Sequence, residues 1–93
     1  MLHIIKTQSG LDDAIPLIQP DDDILLVEDA VYALFRQSSP LVGLKDQKDH
    51  CWVLKEDLLA RGLTLSTHGC FQCIDFEGFV FLTEQHFQSI TWD

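Results

Sequence analysis

The run "ILLV" at residues 24–27, four apolar residues without a polar one between them, most constrains the fold of this 93-residue chain. A strand with one face in water alternates apolar and polar residues, whereas a strand covered on both faces is continuously apolar. Pro20 and the aspartates at 21–23 precede the run and indicate a turn. We therefore expect residues 24–27 to form a central strand of a sheet with helices on both sides.

Strand-like and helix-like segments alternate along the rest of the chain. The short apolar runs predict strands at 2–6, 24–27, 51–55, 70–74 and 89–93. The intervening segments predict helices at 9–18, 30–37, 56–62 and 75–86. Ser9, Asp29 and Asp75 are the expected N-caps, Gly62 is placed to end the third helix, and Pro16 fits the first helix only if that helix begins late. This alternation predicts one domain over residues 1–93, a three-layer α/β/α fold with a mostly parallel five-stranded sheet.

Charge and hydropathy narrow the classes of partner. Six basic and fifteen acidic residues give a formal net charge of −9, which disfavours direct binding to nucleic acid because phosphate contacts need clustered Lys and Arg. No apolar run approaches the roughly 20 residues of a transmembrane helix, and the first residues lack the pattern of a signal peptide. We expect a cytoplasmic protein that does not bind membranes.

Cysteine chemistry is the first functional candidate, because two of the three cysteines lie in "HGCFQC" at residues 68–73. A redox CxxC begins a helix, but Cys70 and Cys73 lie in a predicted strand, where positions three apart face opposite sides. His50, Cys51 and His68 could add zinc ligands, but adjacent strand residues such as His50 and Cys51 point apart. We expect Cys51 and Cys73 to be small buried apolar residues and predict no metal site.

Other polar residues give no catalytic set. The aspartates at 21–23 lack the spacing of a calcium loop and are expected to form a solvated turn. Glu28 and Asp29 follow a central strand, where open α/β sheets often bind ligands, but capping by Asp29 is the simpler interpretation. His3 and His86 have no acid or nucleophile nearby in sequence and are expected at the surface or at strand ends. We predict no catalytic residue and no cofactor.

Three segments together resemble the TusB/DsrH family of sulfur-relay proteins. They are "LLVEDAVYAL", "VLKEDLLARGL" and "IDFEGFVFLTEQH" followed by "ITW". The resemblance covers nearly the whole chain, and "DLLARG" followed by "DFEGFVFLT" is its most specific part. It implies a DsrE/TusBCD-like fold.

The resemblance also implies a subunit rather than a free-standing enzyme. TusB-like proteins associate with TusC-like and TusD-like paralogues as a dimer of heterotrimers. That complex takes persulfide sulfur from a TusA-like donor and passes it to a TusE-like acceptor, for 2-thiolation of the tRNA wobble uridine. The alternative within the family is a DsrH subunit of a DsrEFH complex in sulfur oxidation.

The family resemblance places the persulfide-carrying cysteine on the TusD/DsrE paralogue, before an "RG" pair. The equivalent segment here, Leu54 to Glu56, has no cysteine, and neither does "LDDAIPLI" in the first helix. Glu56 and Asp57 would moreover raise the pKa of a thiol placed there. The expected role is a non-catalytic subunit; a small zinc or thiol module using Cys70 and Cys73 is the remaining alternative.

Aromatic residues concentrate in the last third of the chain and supply the interface candidates. Phe76, Phe79, Val80 and Phe87 lie along one helical stripe, of which Phe79 and Val80 are expected in the core. Phe81 lies off that stripe. We predict Phe81 and Trp92 as interface residues.

Overall fold

The computed structural model describes residues 1–35, 49–64 and 71–93. Its five strands are β1 (Leu2–Ile5), β2 (Asp23–Leu26), β3 (Cys51–Leu54), β4 (Gln72–Ile74) and β5 (Ser89–Trp92). Its three α-helices are α1 (Gln8–Ala14), α2 (Lys55–Ala60) and α3 (Phe76–Gln85). Among the described residues, 3-10 helices span Ile15–Leu17 and Glu28–Phe35. No helix in these three ranges is long and apolar enough to cross a membrane.

The strands form one sheet in the order β4-β3-β2-β1-β5, and every neighbouring pair is parallel. This confirms the predicted α/β fold with a five-stranded parallel sheet. From β1 to β4 the chain steps across the sheet in one direction, and it then returns from β4 at one edge to β5 at the other. Because such crossovers are right-handed, the return connection lies on the opposite face from the first three.

Two apolar cores lie on the two faces of the sheet. The first core combines strand residues with residues of α1, the second 3-10 helix and α2, among them Ile5, Leu11, Leu26, Val31 and Leu58. The second core combines the alternate strand residues with α3, and its buried members are Leu2, Leu25, Val27, Leu54 and Leu82. The run at 24–27 contributes to both cores, which is why it contains no polar residue.

The first helix differs from the prediction at both ends. It begins earlier than expected, at Gln8, and the Thr7 hydroxyl accepts a hydrogen bond from the Gly10 N–H (2.9 Å), so Thr7 rather than Ser9 is the N-cap. The α-helix ends at Ala14, and Pro16 lies in the 3-10 helix that follows. Pro16 cannot donate an intrahelical hydrogen bond, so it ends the α-helix rather than lying in its first turn.

The remaining caps follow the sequence in two cases out of three. Asp75 caps α3 by accepting from the Gly78 N–H (2.8 Å), and Gly62 follows α2 with φ +66 as expected of a glycine C-terminal stop. Asp29 does not cap the second 3-10 helix, because that helix already begins at Glu28. The Asp29 carboxylate instead accepts from Nε and Nη2 of Arg61 (3.2 and 3.0 Å).

Candidate functional site

The junction between β3 and α2 is the position at which the sequence resemblance expects a thiol in the sulfur-carrying paralogue. Leu54 and Lys55 meet here without a cysteine, and the first turn of α2 contains Glu56 and Asp57. Asp57 Oδ2 accepts from the Glu28 N–H (2.6 Å), and Glu56 Oε2 accepts from the Phe76 N–H (3.1 Å). The two acids therefore connect α2 to the chain after β2 and to the start of α3. At this junction they stabilise the fold.

The two cysteines within the described ranges differ in their surroundings. Cys51 is buried in the first core, as predicted. Cys73 lies on the edge strand β4 and carries an exposed free thiol, so the prediction that it is buried is wrong. Partial burial raises the pKa of the Cys73 thiol, an effect that the Lys55 ammonium opposes and the Glu56 carboxylate reinforces. A raised pKa leaves less thiolate, the form that reacts with persulfides.

At the amino end of the sheet, Asp22 ties β1 and β2 together. His3 is buried, and its Nε2 lies 2.8 Å from Asp22 Oδ2. The indole N–H of Trp92 lies 3.1 Å from His3 Nδ1. Since that N–H can only donate, Nδ1 accepts and the other ring nitrogen donates to Asp22. The N-terminal ammonium of Met1 also donates to Asp22 (Oδ1, 3.2 Å).

The pKa of Asp22 reflects these partners. Burial by itself would raise the pKa of this carboxyl, but hydrogen bonds from the Gln19 N–H, from His3 and from the N-terminal ammonium hold the pKa below its ordinary value. Asp22 is thus an ionised, nearly buried carboxylate whose charge is used for folding. No nucleophile adjoins this Asp–His pair among its contacts, which are backbone, ammonium and indole groups.

On the other face of the sheet, Asp23 joins two further histidines. Asp23 Oδ1 accepts from His50 Nδ1 (2.8 Å), and Oδ2 accepts from His86 Nε2. His50 precedes β3 and His86 follows α3, so this carboxylate clasps three segments of the second face. Within the described ranges, no three His, Cys, Asp or Glu side chains are arranged to hold a metal ion.

These contacts correct two sequence predictions. Asp21 is exposed in a turn as predicted, but Asp22 is buried and Asp23 is bonded to two histidines, so these two are not solvated. His3 is buried within β1 and not at the surface, and His86 lies partly buried before β5, bonded to Asp23. The signal was present in the register, because His50 and Asp23 both immediately precede the paired strand residues Cys51 and Ile24. Aligning the first apolar residues of adjacent parallel strands would have brought that pair together. The sequence indicates the Asp22–His3 pair less directly. His3 lies inside an apolar strand and therefore needs a buried polar partner, but this pattern does not identify the partner as Asp22.

The aromatic residues of the last third are only partly buried. Phe71 and Leu82 are buried and Phe79 packs partly against the second core. Val80 is exposed, so the prediction that it lies in the core is wrong. Phe81 is exposed, and its interface role stays a prediction. Trp92 is half-buried against the first core and its ring stacks on His3, with centroids 6.2 Å apart; its interface role stays a prediction.

The remaining thiol candidates are outside the described residues. His68 and Cys70 belong to the segment 65–70, so the "HGCFQC" motif is described only from Phe71 onward. The described part confirms that His50 and Cys51 point apart, because Cys51 lies in the first core and His50 contacts Asp23 on the other face. A zinc or redox pair built on Cys70 and Cys73 stays a hypothesis.

The family model and the curated relatives that match this chain indicate the same family. The family model described as "DsrH like protein" matches residues 6–89. Curated relatives named "Protein TusB" from Erwinia tasmaniensis and Escherichia fergusonii are each 33% identical over 95 residues, covering 99% of this chain and 100% of the relative. A "Protein TusB" from Escherichia coli matches with the same identity and coverage. These matches confirm the resemblance found in the sequence: the chain belongs to the DsrH-like family that includes the TusB proteins.

Proposed function

We propose that this chain is a non-catalytic subunit of a TusBCD-type sulfurtransferase complex that relays persulfide sulfur for 2-thiolation of the tRNA wobble uridine. Family membership connects the chain with sulfur relay. The proposed partners are TusC-like and TusD-like paralogues in a dimer of heterotrimers, with a TusA-like donor and a TusE-like acceptor acting on the complex. We propose the cytoplasm as its location.

The β3–α2 junction carries the argument for a non-catalytic role. A persulfide carrier needs an accessible thiol whose pKa is lowered, for example by a helix N-terminus or a cation. Here the junction has no thiol, and Glu56 and Asp57 use their carboxylates to bond the backbone of neighbouring segments. A substrate sulfur at this position would meet two negative charges instead of a nucleophile.

The described cysteines support the same conclusion. Cys51 lies in the first core, where an acceptor protein has no access to it. Cys73 is accessible, but its raised pKa disfavours the thiolate, and it lies on β4 rather than at a helix start. Neither has the properties of a persulfide carrier.

The test is a chain without thiols in the assembled complex. We would combine Cys51→Ala, Cys70→Ser and Cys73→Ser, co-express this chain with the TusC-like and TusD-like subunits, and measure assembly by native mass spectrometry. Transfer of sulfur to the TusE-like acceptor and 2-thiouridine in tRNA would be measured in parallel. We expect both to match the wild type. As a control, substitution of the TusD-like subunit's persulfide cysteine should abolish transfer while leaving assembly intact.

Assembly without relay in the thiol-free variant would refute the non-catalytic role. A wild-type chain that carries stoichiometric zinc and joins no paralogue would favour the alternative module built on Cys70 and Cys73. The DsrH branch, in which the complex serves sulfur oxidation, is separated by the tRNA readout: loss of this chain would then leave 2-thiouridine unchanged. The relatives named TusB favour the tRNA branch.

A further inference from the structure

The outward face of α3 carries apolar side chains that the fold does not bury. Phe76 and Phe81 are 59% and 58% exposed, and Phe87, two residues past the helix, is 102% exposed. Val80 is also exposed. Single exposed apolar residues are ordinary, but a group of large ones on one short element marks an interaction surface.

The geometry of α3 explains how both of its sides are apolar. Phe79 and Leu82 face the sheet and pack against the second core. Phe76 and Val80 are one helical turn apart on the outward side, and Phe81 lies on the opposite flank of that side. Glu77 and Glu84, both exposed, lie between these flanks. We call Phe76, Glu77, Val80, Phe81, Glu84 and Phe87 the α3 surface.

The charges of the α3 surface select the kind of occupant. No Lys or Arg occurs from Phe76 to Gln85, and the helix is capped by another acid, Asp75. A second copy of this chain, packed through the same surface, would place Glu77 and Glu84 against their own equivalents. Each copy also carries a net charge of −9. Like charges across an interface cost binding energy and exclude the wrong partner, so self-association is disfavoured.

We propose that the α3 surface docks a different protein chain whose contact surface is apolar and carries Lys or Arg between its apolar side chains. This inference rests on the proposed function, under which that chain is one of the two paralogous subunits. The two apolar flanks, Phe76 with Val80 on one side and Phe81 on the other, contact apolar side chains of that chain, and Glu77 and Glu84 between them pair with its basic groups. The buried side of α3 fixes the helix to the sheet, so the surface is preformed before binding.

Substitution of the aromatic part provides the first test. Phe81→Ser with Phe87→Ser removes two exposed rings, and Leu17→Ser with Leu59→Ser is the matched control. Leu17 and Leu59 are 58% and 63% exposed, but they lie on elements that cover the other face of the sheet. After co-expression and purification, we expect the α3 variant to bind the TusC-like and TusD-like subunits at least tenfold more weakly than the control variant does. Circular dichroism should be unchanged in both.

Charge reversal tests the chemistry of the partner. Glu77→Lys with Glu84→Lys should also weaken the complex about tenfold, because the introduced lysines repel the partner's basic groups, and added salt should then strengthen binding instead of weakening it. Asp12→Lys with Asp13→Lys, two exposed acids on α1, changes the net charge equally and should leave affinity within twofold of the wild type. Sedimentation of the isolated wild-type chain should give a monomer.

Each other outcome contradicts the inference in a recognisable way. A wild-type complex that the α3 variants leave intact, or that the control variants weaken equally, would reject the α3 surface and leave the proposed function standing. A wild-type homodimer that the aromatic variant dissociates would show that the occupant is a second copy. A wild-type chain that joins neither paralogue would reject both this inference and the proposed function.

Discussion

The two faces of the sheet are covered very differently. The first face is covered by α1, the second 3-10 helix and α2, and its strand residues Ile5, Ile24 and Val53 are completely buried. The second face is covered by α3, and several of its apolar residues are only partly buried: Ile4, Trp52, Ile74 and Phe79. The difference follows from topology, because three crossovers proceed in one direction and one returns.

A small chain can thus have a well-packed interior and still expose apolar side chains on one of its faces. A domain of this size has proportionally little interior, and it places that interior mainly under the first face. The single return helix, α3, packs some of its apolar side chains against the sheet and exposes the others to solvent. We therefore expect the first face, with the larger set of buried residues, to account for most of the stability, and the second to provide the surface on which the proposed assembly depends.

The largest expected effect comes from removing packing under the first face. Leu26→Ala deletes a fully buried side chain and should lower the free energy of unfolding by about 3 kcal/mol, measured by urea denaturation. Leu82→Ala, the corresponding deletion on the α3 side, should cost about 2 kcal/mol, because a helix covering one face alone can relax into the cavity. Equal losses, or a larger loss for Leu82, would show that the second face is as tightly packed as the first.

A somewhat smaller loss is expected at the amino end of the first face. Asp22→Asn retains the shape but removes the charge that accepts from His3 and the N-terminal ammonium, and it should cost about 2 kcal/mol at pH 7. Since the folded-state pKa of Asp22 is lowered, its carboxylate stabilises the fold above the ordinary pKa of 3.8. That contribution disappears as pH falls through the folded-state pKa.

The measurement for Asp22 is the difference in unfolding free energy between wild type and variant from pH 7 to pH 2.5. The difference should be constant near neutrality and shrink below about pH 4, where the unfolded-state carboxyl is protonated while the folded-state carboxyl is still ionised, and it should vanish below the lowered folded-state pKa. Asp21→Asn is the matched control, because Asp21 is exposed one residue away. A difference independent of pH would mean that the charge of Asp22 does not contribute.

On the second face, His86→Ala should release the end of α3. The substitution removes the contact with Asp23 while leaving His50 bonded to the same carboxylate, and we expect a loss of about 1 kcal/mol. Amide hydrogen exchange should increase through α3 and remain unchanged in α1. His50→Ala removes the other partner of Asp23 and should leave exchange in α3 unchanged. If amide exchange in α3 were faster in both variants, both histidine contacts of Asp23 would hold the end of α3, and not the His86 contact alone.

The sequence predicted the parallel sheet because uninterrupted apolar runs and helix caps are local signals. The buried run at 24–27, the Asp75 cap and Gly62 are such cases. The side of a helix that faces the sheet was harder to predict: α3 is apolar nearly all around, so its periodicity did not distinguish Val80 from Leu82. The Asp–His pairs were missed because each joins residues at least 19 positions apart.

The smallest expected effect distinguishes the two sides of α3 itself. Phe81→Ser in the isolated chain should change the free energy of unfolding by less than about 0.5 kcal/mol, since this ring is mostly in solvent already. Phe79→Ser, on the sheet side of the same helix, should cost about 1.5 kcal/mol through lost burial. Thermal and urea unfolding of the two variants would measure the difference. Phe81 should contribute little stability in the isolated chain because its ring is mostly exposed. If Phe81→Ser proved as costly as Phe79→Ser, α3 would be packed on both sides and the second face would be closed like the first.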